Sequence, residues 1–296
     1  MRSTDTLTRF LIEHTGVRGV LVSLDGTWRE IAGRAPYPPA VARLLGETAA
    51  AAALFCGHVK VDGRLSLQLR GSGALRSLFV ECTSMGTLRG LARHAEAVPD
   101  ALGPRDFGEG AMLAITIETL PPGQREMQRY QGMVGLEADS LRAAFEAYFR
   151  QSEQLPTALL LAANGERAAG LMLQKLPGET GDEDAWRRVE ALFDTLHAPE
   201  LLAGPDTDLL WRLFHEDGVR VLSQQPLAFH CSCSLARVEE MFQGLGEAEA
   251  MAALQEGEAR VHCEFCGRGY RVNGERMQAL FAPGARPNAS GSPGLQ

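Results

Sequence analysis

Four of the six cysteines in this 296-residue chain fall into two tight pairs, Cys231-x-Cys233 within FHCSCSLARVEEMF and Cys263-x-x-Cys266 within EARVHCEFCGRGYRV, with 29 residues between the pairs. Thiolate sulfur is a soft ligand, and two such pairs match a closed tetrahedral zinc site with Zn–S bonds of about 2.3 Å. Side chains two apart on an extended strand point the same way, so Cys-x-Cys can present both sulfurs to one ion. Glycines follow the second pair at once in CEFCGRGY, where a turn must bring backbone N–H groups toward the sulfurs. His230 and His262 each stand directly before a cysteine and compete as donors, although four thiols already complete a tetrahedron. An inert zinc ribbon has the same spacing. A catalytic zinc does not fit, because four cysteines close the coordination position that catalysis needs.

The elements around these pairs are short. SLARVEEMFQGLG and EAEAMAALQEG read as two helices ended by glycine, and RVNGERMQALF as a turn and a final helix. A module over residues 229–281 is too small to build much of a core, so a metal would supply most of its folding free energy, about 10–16 kcal/mol in zinc peptides.

Residues 1–177 read as an α+β core domain. GVRGVLVSL, GRLSLQLRG, LRSLFVEC and GAMLAITIET are short apolar or alternating runs bounded by glycine, as half-buried strands are. PPAVARLLGETAAAAALFCGHVK opens on prolines and continues so rich in alanine that it can be packed on most sides, which predicts a buried helix. A second helix is expected from an Asp139 cap, with Leu141, Phe145, Tyr148 and Phe149 on its apolar face and a stop at Pro156. Asn164-Gly165 between apolar runs predicts a hairpin.

Residues 178–228 differ in kind. Eleven acidic residues and four arginines lie between Gly178 and Gln225, which accounts for nearly all of the chain's net charge of -8. Two amphipathic helices are expected, one carrying Trp186, Val189, Leu192, Phe193 and Leu196, the other Leu209, Leu210, Leu213 and Phe214. Helices this short need a surface to rest on, and self-repulsion among the acids argues for weak docking. An ordinary acidic linker is the competing reading. Residues 282–296, APGARPNASGSPGLQ, have nothing to bury and read as a disordered tail.

Several function classes drop out. There is no HExxH, GxSxG or Walker-type loop, so no enzyme is indicated; the histidine in LWRLFHEDG, His215, reads as part of a solvated helix end. The first residues lack the apolar core of a signal peptide, and the apolar run Thr48–Gly57 is far short of the ~20 residues that span a bilayer, so a cytoplasmic protein without a membrane partner is expected. In that reducing compartment paired cysteines are metal ligands or redox groups, whereas the scattered Cys56 and Cys82 read as small buried hydrophobes. A zinc-ribbon nucleic-acid-binding protein is the alternative from another class, but the module has no lysine and carries eight acidic against five basic residues, so no nucleic-acid partner is expected.

With these cysteine spacings, the core segment RYQGMVGLEADSLRAAFEAYFRQSEQLPT and the intervening LLWRLFHEDGV, in this order over nearly the whole chain, the sequence resembles the heat-shock protein 33 family of redox-regulated holdase chaperones. The resemblance implies a layered β/α/β core with a buried helix, a metastable helical linker and a C-terminal zinc switch. It places one Zn2+ on Cys231, Cys233, Cys263 and Cys266, and, on oxidation, disulfides Cys231–Cys233 and Cys263–Cys266. It further implies ATP-independent binding of unfolding client proteins under oxidative and heat stress, and a homodimer once oxidised. The family's core glycine motif matches at Gly132, Gly135 and Glu137, while Ala138 stands where glycine is common, a departure that matters only if the position needs positive φ.

Overall fold

The computed structural model describes residues 5–59, 62–120, 123–124, 126–177, 184–204 and 206–282. The predicted tail beyond Ala282 and the start of the linker, 178–183, lie outside the described residues. The chain divides into two compact units, Met1–His230 and Cys231–Gln296.

In chain order the first unit contains β1 (Thr6–Ile12), β2 (Val17–Leu24), α1 (Gly26–Ala32), α2 (Pro39–His58), β3 (Gly63–Arg70), β4 (Leu75–Thr83), β5 (Thr87–His94), a 3-10 turn at Pro104–Phe107, β6 (Met112–Thr119) and β7 (Gln128–Gly135). It continues through α3 (Leu141–Ser152), β8 (Thr157–Ala163), β9 (Ala168–Lys175), α4 (Ala185–Asp194), α5 (Ala198–Ala203), α6 (Thr207–Phe214), β10 (Val219–Pro226) and β11 (Ala228–Phe229). One sheet has the order β10-β1-β2-β9-β8 and is antiparallel throughout. The other has the order β11-β5-β4-β3-β6-β7, antiparallel except where β11 joins β5.

Helix α2 lies between the two sheets and is the centre of the core. Pro39 supplies a preset φ at its start, and from Thr48 to His58 every residue is buried. Alanine and glycine let backbone approach backbone here: a methyl group built on Gly170 of β9 would come within 2.6 Å of Leu54 on α2. The layered β/α/β core is therefore present as expected. Over its full length α2 is long and apolar enough to span a bilayer, because its Arg43 and Glu47 are too few to spoil the average and pair with each other at 2.6 Å. The run Thr48–Gly57 alone understates this. Enclosure between two sheets, with 83% of its most apolar window buried, makes it a core helix.

The outer face of the first sheet is also covered. Phe10, Ile12 and Leu21 from β1 and β2, with Leu171 and Leu173 from β9, pack against Val189 and Phe193 of α4, Leu201 of α5, and Leu209, Leu210 and Phe214 of α6. Both amphipathic helices form on the expected residues except Leu196, which is buried just past the end of α4 at Asp194. Helix α5 and strand β10 are additions to the sequence reading, and β10 completes the sheet by pairing with β1. A continuous apolar layer joins these helices to the sheet. Polar ties add to it: Arg167 Nη1 donates to Leu202 O at 2.8 Å, and Arg142 of α3 reaches Asp194 of α4 at 3.5 Å.

Two local expectations need correction. The cap of α3 is Ser140, whose hydroxyl accepts from Ala143 N at 3.2 Å, while Asp139 instead meets Arg105 at 2.8 Å. Serine takes the role because its short side chain folds back onto the third backbone N–H. The helix also stops at Ser152, four residues before Pro156. The apolar face on Leu141, Phe145, Tyr148 and Phe149 is as expected, and so is the hairpin, whose Asn164 Oδ1 accepts from Glu166 N and Arg167 N. Gly132 is needed because a methyl group there would meet Tyr148 at 2.7 Å, whereas Ala138 has no positive φ, so its departure from glycine costs nothing.

A polar network closes the end of α2. His58 Nε2 lies 2.8 Å from Arg18 Nη2 and 3.6 Å from Glu153 Oε2, and Gln174 bridges Arg18 at 2.7 Å and Glu153 at 3.2 Å. The His58 ring beside it holds the Glu153 carboxyl below its ordinary range against the opposing effect of burial, with Gln174 and Arg18 helping. A carboxyl whose folded value is depressed stabilises above its unfolded value, near 4.3, and loses that contribution as pH falls through the folded value. Glu153→Gln is therefore expected to lower stability at neutral pH by an amount that vanishes in acid. Denaturant titrations of both proteins across that window check it; a gap that stays constant with pH would show that the charge is not what stabilises.

Candidate metal centre

The second unit holds α7 (Leu235–Leu245), α8 (Glu247–Ala252), β12 (Glu258–His262), β13 (Gly269–Asn273) and α9 (Gly274–Leu280). Ser234 caps α7 and Asn273 caps α9 through side-chain oxygens. Gly246 at φ +94 ends α7, as glycine was expected to. The β12–β13 hairpin, paired from Glu258 with Asn273 to His262 with Gly269, was not anticipated as strands. Its alternation, with Ala259 and Val272 turned inward, is masked by the charged residues between. The buried apolar cluster comprises Val238, Phe242, Ala250, Ala259, Val272 and Met277. Six side chains of this size make a marginal core.

The hairpin turn carries Cys263 and Cys266. Gly267 adopts φ +71, which lets Gly267 N reach Cys263 O at 2.8 Å and Cys263 N reach Arg268 O at 2.9 Å. The backbone N–H of Arg268 then points at Cys266 sulfur. Cys231 and Cys233 lie before α7, outside any strand, so they face one centre without a sheet to align them. The backbone N–H of Cys233 serves Cys231 sulfur.

All four sulfurs lie within 4.8 Å of one another. Cys231 Sγ is 3.6 Å from Cys263 Sγ, and Cys233 Sγ is 3.3 Å from Cys266 Sγ. A regular tetrahedron with Zn–S bonds of about 2.3 Å has sulfur–sulfur edges of about 3.8 Å, so the four sulfurs fit one zinc-sized ion. All six cysteines are free thiols. His230 and His262 are exposed and stand outside the cluster, which is made of the four cysteines alone.

As thiols the four are not equivalent. Burial pushes Cys231 up to about 12, with the Cys233 and Cys263 side chains adding to it, and burial also raises Cys266. Burial acts in the same direction on Cys233, but hydrogen bonds from Tyr270 and the neighbouring thiols more than offset it and hold Cys233 down to about 7. The Tyr270 hydroxyl donates to Cys233 Sγ at 3.0 Å. This partner was missed in the sequence; its signal was the period of two on β13, which sets Tyr270 on the inward side with Val272.

The remaining chemistry is sparse. Three of the unit's arginines sit on carboxylates: Arg276 holds Glu239 at 2.8 and 3.1 Å, Arg260 meets Glu258 at 2.6 Å, and Arg271 reaches the same carboxylate at 3.9 Å. Little positive charge is left for a phosphate backbone. In the first unit His215 is exposed at the end of α6, and Arg188 holds its neighbour Asp217 at 2.6 Å, as befits a solvated helix end.

Residues 5–273 match the family described as Hsp33 protein. The 33 kDa chaperonin of Pseudomonas aeruginosa PAO1 is 42% identical over 290 residues, covering 95% of this chain and 96% of the relative. That of Azotobacter vinelandii is 42% identical over 301 residues, covering 99% and 98%. The crystal structure of the 33 kDa chaperonin from Thermotoga maritima, a heat shock protein 33 homologue, superposes with a TM-score of 0.80 at 19% identity, covering 94% of this chain and 97% of that one.

Proposed function

The chain belongs to the Hsp33 family, whose named relatives are chaperones and not enzymes, and from that premise we propose that it is a redox-regulated, ATP-independent holdase with a zinc-held switch in its second unit. The observation that carries this reading is the cluster of four sulfurs on a unit with a six-residue apolar core. Cys231, Cys233, Cys263 and Cys266 would hold the ion, with Arg268 and Cys233 backbone N–H groups and the Tyr270 hydroxyl neutralising sulfur charge. Zinc, when bound, would supply a cross-link between the two ends of the unit and keep the sulfurs as nucleophilic thiolates.

Oxidation of the four cysteines to Cys231–Cys233 and Cys263–Cys266 disulfides leaves no thiolate to hold an ion, and the marginal core then lacks its main support. A bond between residues two apart needs Cα atoms within about 4.4–6.8 Å, which an extended tripeptide can just meet. The outer layer of the first unit, α4 to α6 with β10, is the second gate. Its release would uncover Phe10, Leu21, Leu171 and Leu173, an apolar sheet face on which unfolding proteins could rest without ATP. We place this activity in the cytoplasm, with two oxidised copies able to pair. Residues 1–177 then act as the core, 178–228 as the metastable linker and 229–281 as the switch.

Metal and thiol counts test the switch directly. Reduced protein is expected to carry one zinc per chain and to show six thiols once denatured. After hypochlorous acid, zinc should be gone, the thiols of Cys231, Cys233, Cys263 and Cys266 should be lost, and peptide mapping should find the two local disulfides. Zinc retained through the loss of these four thiols would overturn the ligand assignment.

A further inference from the structure

Residues 225–230 stitch the two sheets of the first unit together at one corner. Gln225 Nε2 donates to Ser84 O at 2.8 Å, Leu227 N to Asp5 O at 3.0 Å, Ala228 N to Gly86 O at 3.0 Å and His230 N to Leu88 O at 3.0 Å. The chain thus leaves β10 in the first sheet and joins the second as β11, parallel to β5. Side chains two apart on an extended strand share a face. Here Leu227 is 2% exposed within the main core, Ala228 faces solvent, and Phe229 packs against that core with the Arg34 guanidinium 4.8 Å from its ring centre. The backbone passes so close to Gly86, itself at φ +79, that a methyl group there would lie 2.5 Å from Pro226 O. Four residues beyond Leu88, on the same edge of β5, Ala92 N donates to the Tyr37 hydroxyl at 3.2 Å and closes the far end. The result is a bounded slot. It offers backbone acceptors on Gly86 and Leu88, an apolar socket, and a cation placed over an aromatic ring.

We propose that this slot is a client-binding site which β11 fills in the resting chain. When residues 227–229 leave it, an extended segment of an unfolding protein adds to β5 in their place, with an aliphatic side chain in the Leu227 socket and an aromatic one under Arg34. Strand addition takes its affinity from main-chain hydrogen bonds and its selectivity from pockets for alternate side chains, so the slot accepts many sequences that share an aliphatic-x-aromatic pattern. The resting occupant is only a two-residue strand, and Cys231 follows Phe229 by two residues, so freedom gained at the first cysteine is passed directly to it. This deepens the holdase reading with a second, backbone-paired holding site at a sheet edge. That oxidation empties the slot rests on the switch proposed above; the slot and its pattern do not.

The probe is a fluorescein-labelled peptide with the sequence of residues 223–230, SQQPLAFH, followed by anisotropy against the full chain. Protein oxidised with hypochlorous acid should bind it about tenfold or more tightly than reduced protein, whose slot is filled. L227D/F229S empties the slot without oxidant, and the reduced variant should bind the peptide as oxidised protein does. A228P, which removes the N–H donated to Gly86 O and buries no charge, serves the same purpose should the double variant not fold. A peptide with aspartate and serine in place of its leucine and phenylalanine should bind all of them about tenfold more weakly. With benzophenone replacing the phenylalanine ring, cross-links should fall within residues 28–37 or 84–92, and R34A should abolish the preference for phenylalanine over leucine at that place. If neither reduced variant binds the peptide, or the cross-links fall elsewhere, the slot is not a client site. If the variants bind it there and oxidised protein does not, the slot stands and its release by oxidation fails.

Discussion

Reduced, zinc-loaded protein is expected to let heat-unfolding citrate synthase aggregate, and the same protein after hypochlorous acid to suppress that aggregation almost completely at about one chaperone per client. The size of the effect follows from the free energy involved. Metal ligation contributes about 10–16 kcal/mol to small zinc modules, as much as the 5–15 kcal/mol that holds a typical domain together, so losing it is expected to unfold the second unit instead of loosening it. Hydrogen exchange on the same samples should show protection lost in the second unit and in residues 184–226, and kept in α2 and the strands on either side. Equal suppression before and after oxidation would remove the switch from the account. So would full suppression with the 184–226 layer as protected as before, because the exposed sheet face is the proposed holding surface.

Phe214→Ala should produce holdase activity without any oxidant. Phe214 is fully buried on α6, in the layer that covers the outer face of the first sheet. Truncating a buried phenylalanine costs about 3–5 kcal/mol, a large share of what three short helices can gain from docking. The layer should open in reduced protein that still carries zinc. Phe145→Ala is the control. That side chain is equally buried but faces Phe55 on α2, so its loss destabilises the inner core without uncovering the outer face. Aggregation assays on both reduced variants decide the matter: activity in the first and not the second locates the gate in the outer layer, and equal behaviour would make general destabilisation the cause.

How much of this was legible beforehand depended on how local the signal was. The four cysteines declare themselves by spacing, and α2 by an alanine-rich run that only burial on all sides explains. Strands β1, β5 and β7 were harder. TLTRFLI, TLRGLARH and QRYQGMVG carry arginine or glutamine in the middle, and β7 is an exposed edge with Tyr130 and Met133 turned to solvent, so the alternation that marks a half-buried strand is broken. Strand β10 was invisible for another reason. Its residues VRVLSQQP are mostly exposed, and its register is set by β1, more than 200 residues earlier, which no local pattern encodes. In the linker the count of acids says nothing of the apolar layer that four leucines and two phenylalanines on three helices form against the sheet.

The helix at the centre of the core has a cost during synthesis. Its 20 residues are complete at His58, yet β8 and β9, which close the first sheet over it, are not made until Lys175. At about 5–20 residues per second, the ribosome takes roughly six to 23 seconds to supply them, and over that interval a segment with the length and greasiness of a membrane anchor has only part of its housing. A member of a chaperone family is thus itself expected to need shielding as it is born. Ribosome-bound fragments ending near residue 150 should bind trigger-type nascent-chain factors or lipid vesicles, while fragments long enough to expose β9 should let go of both.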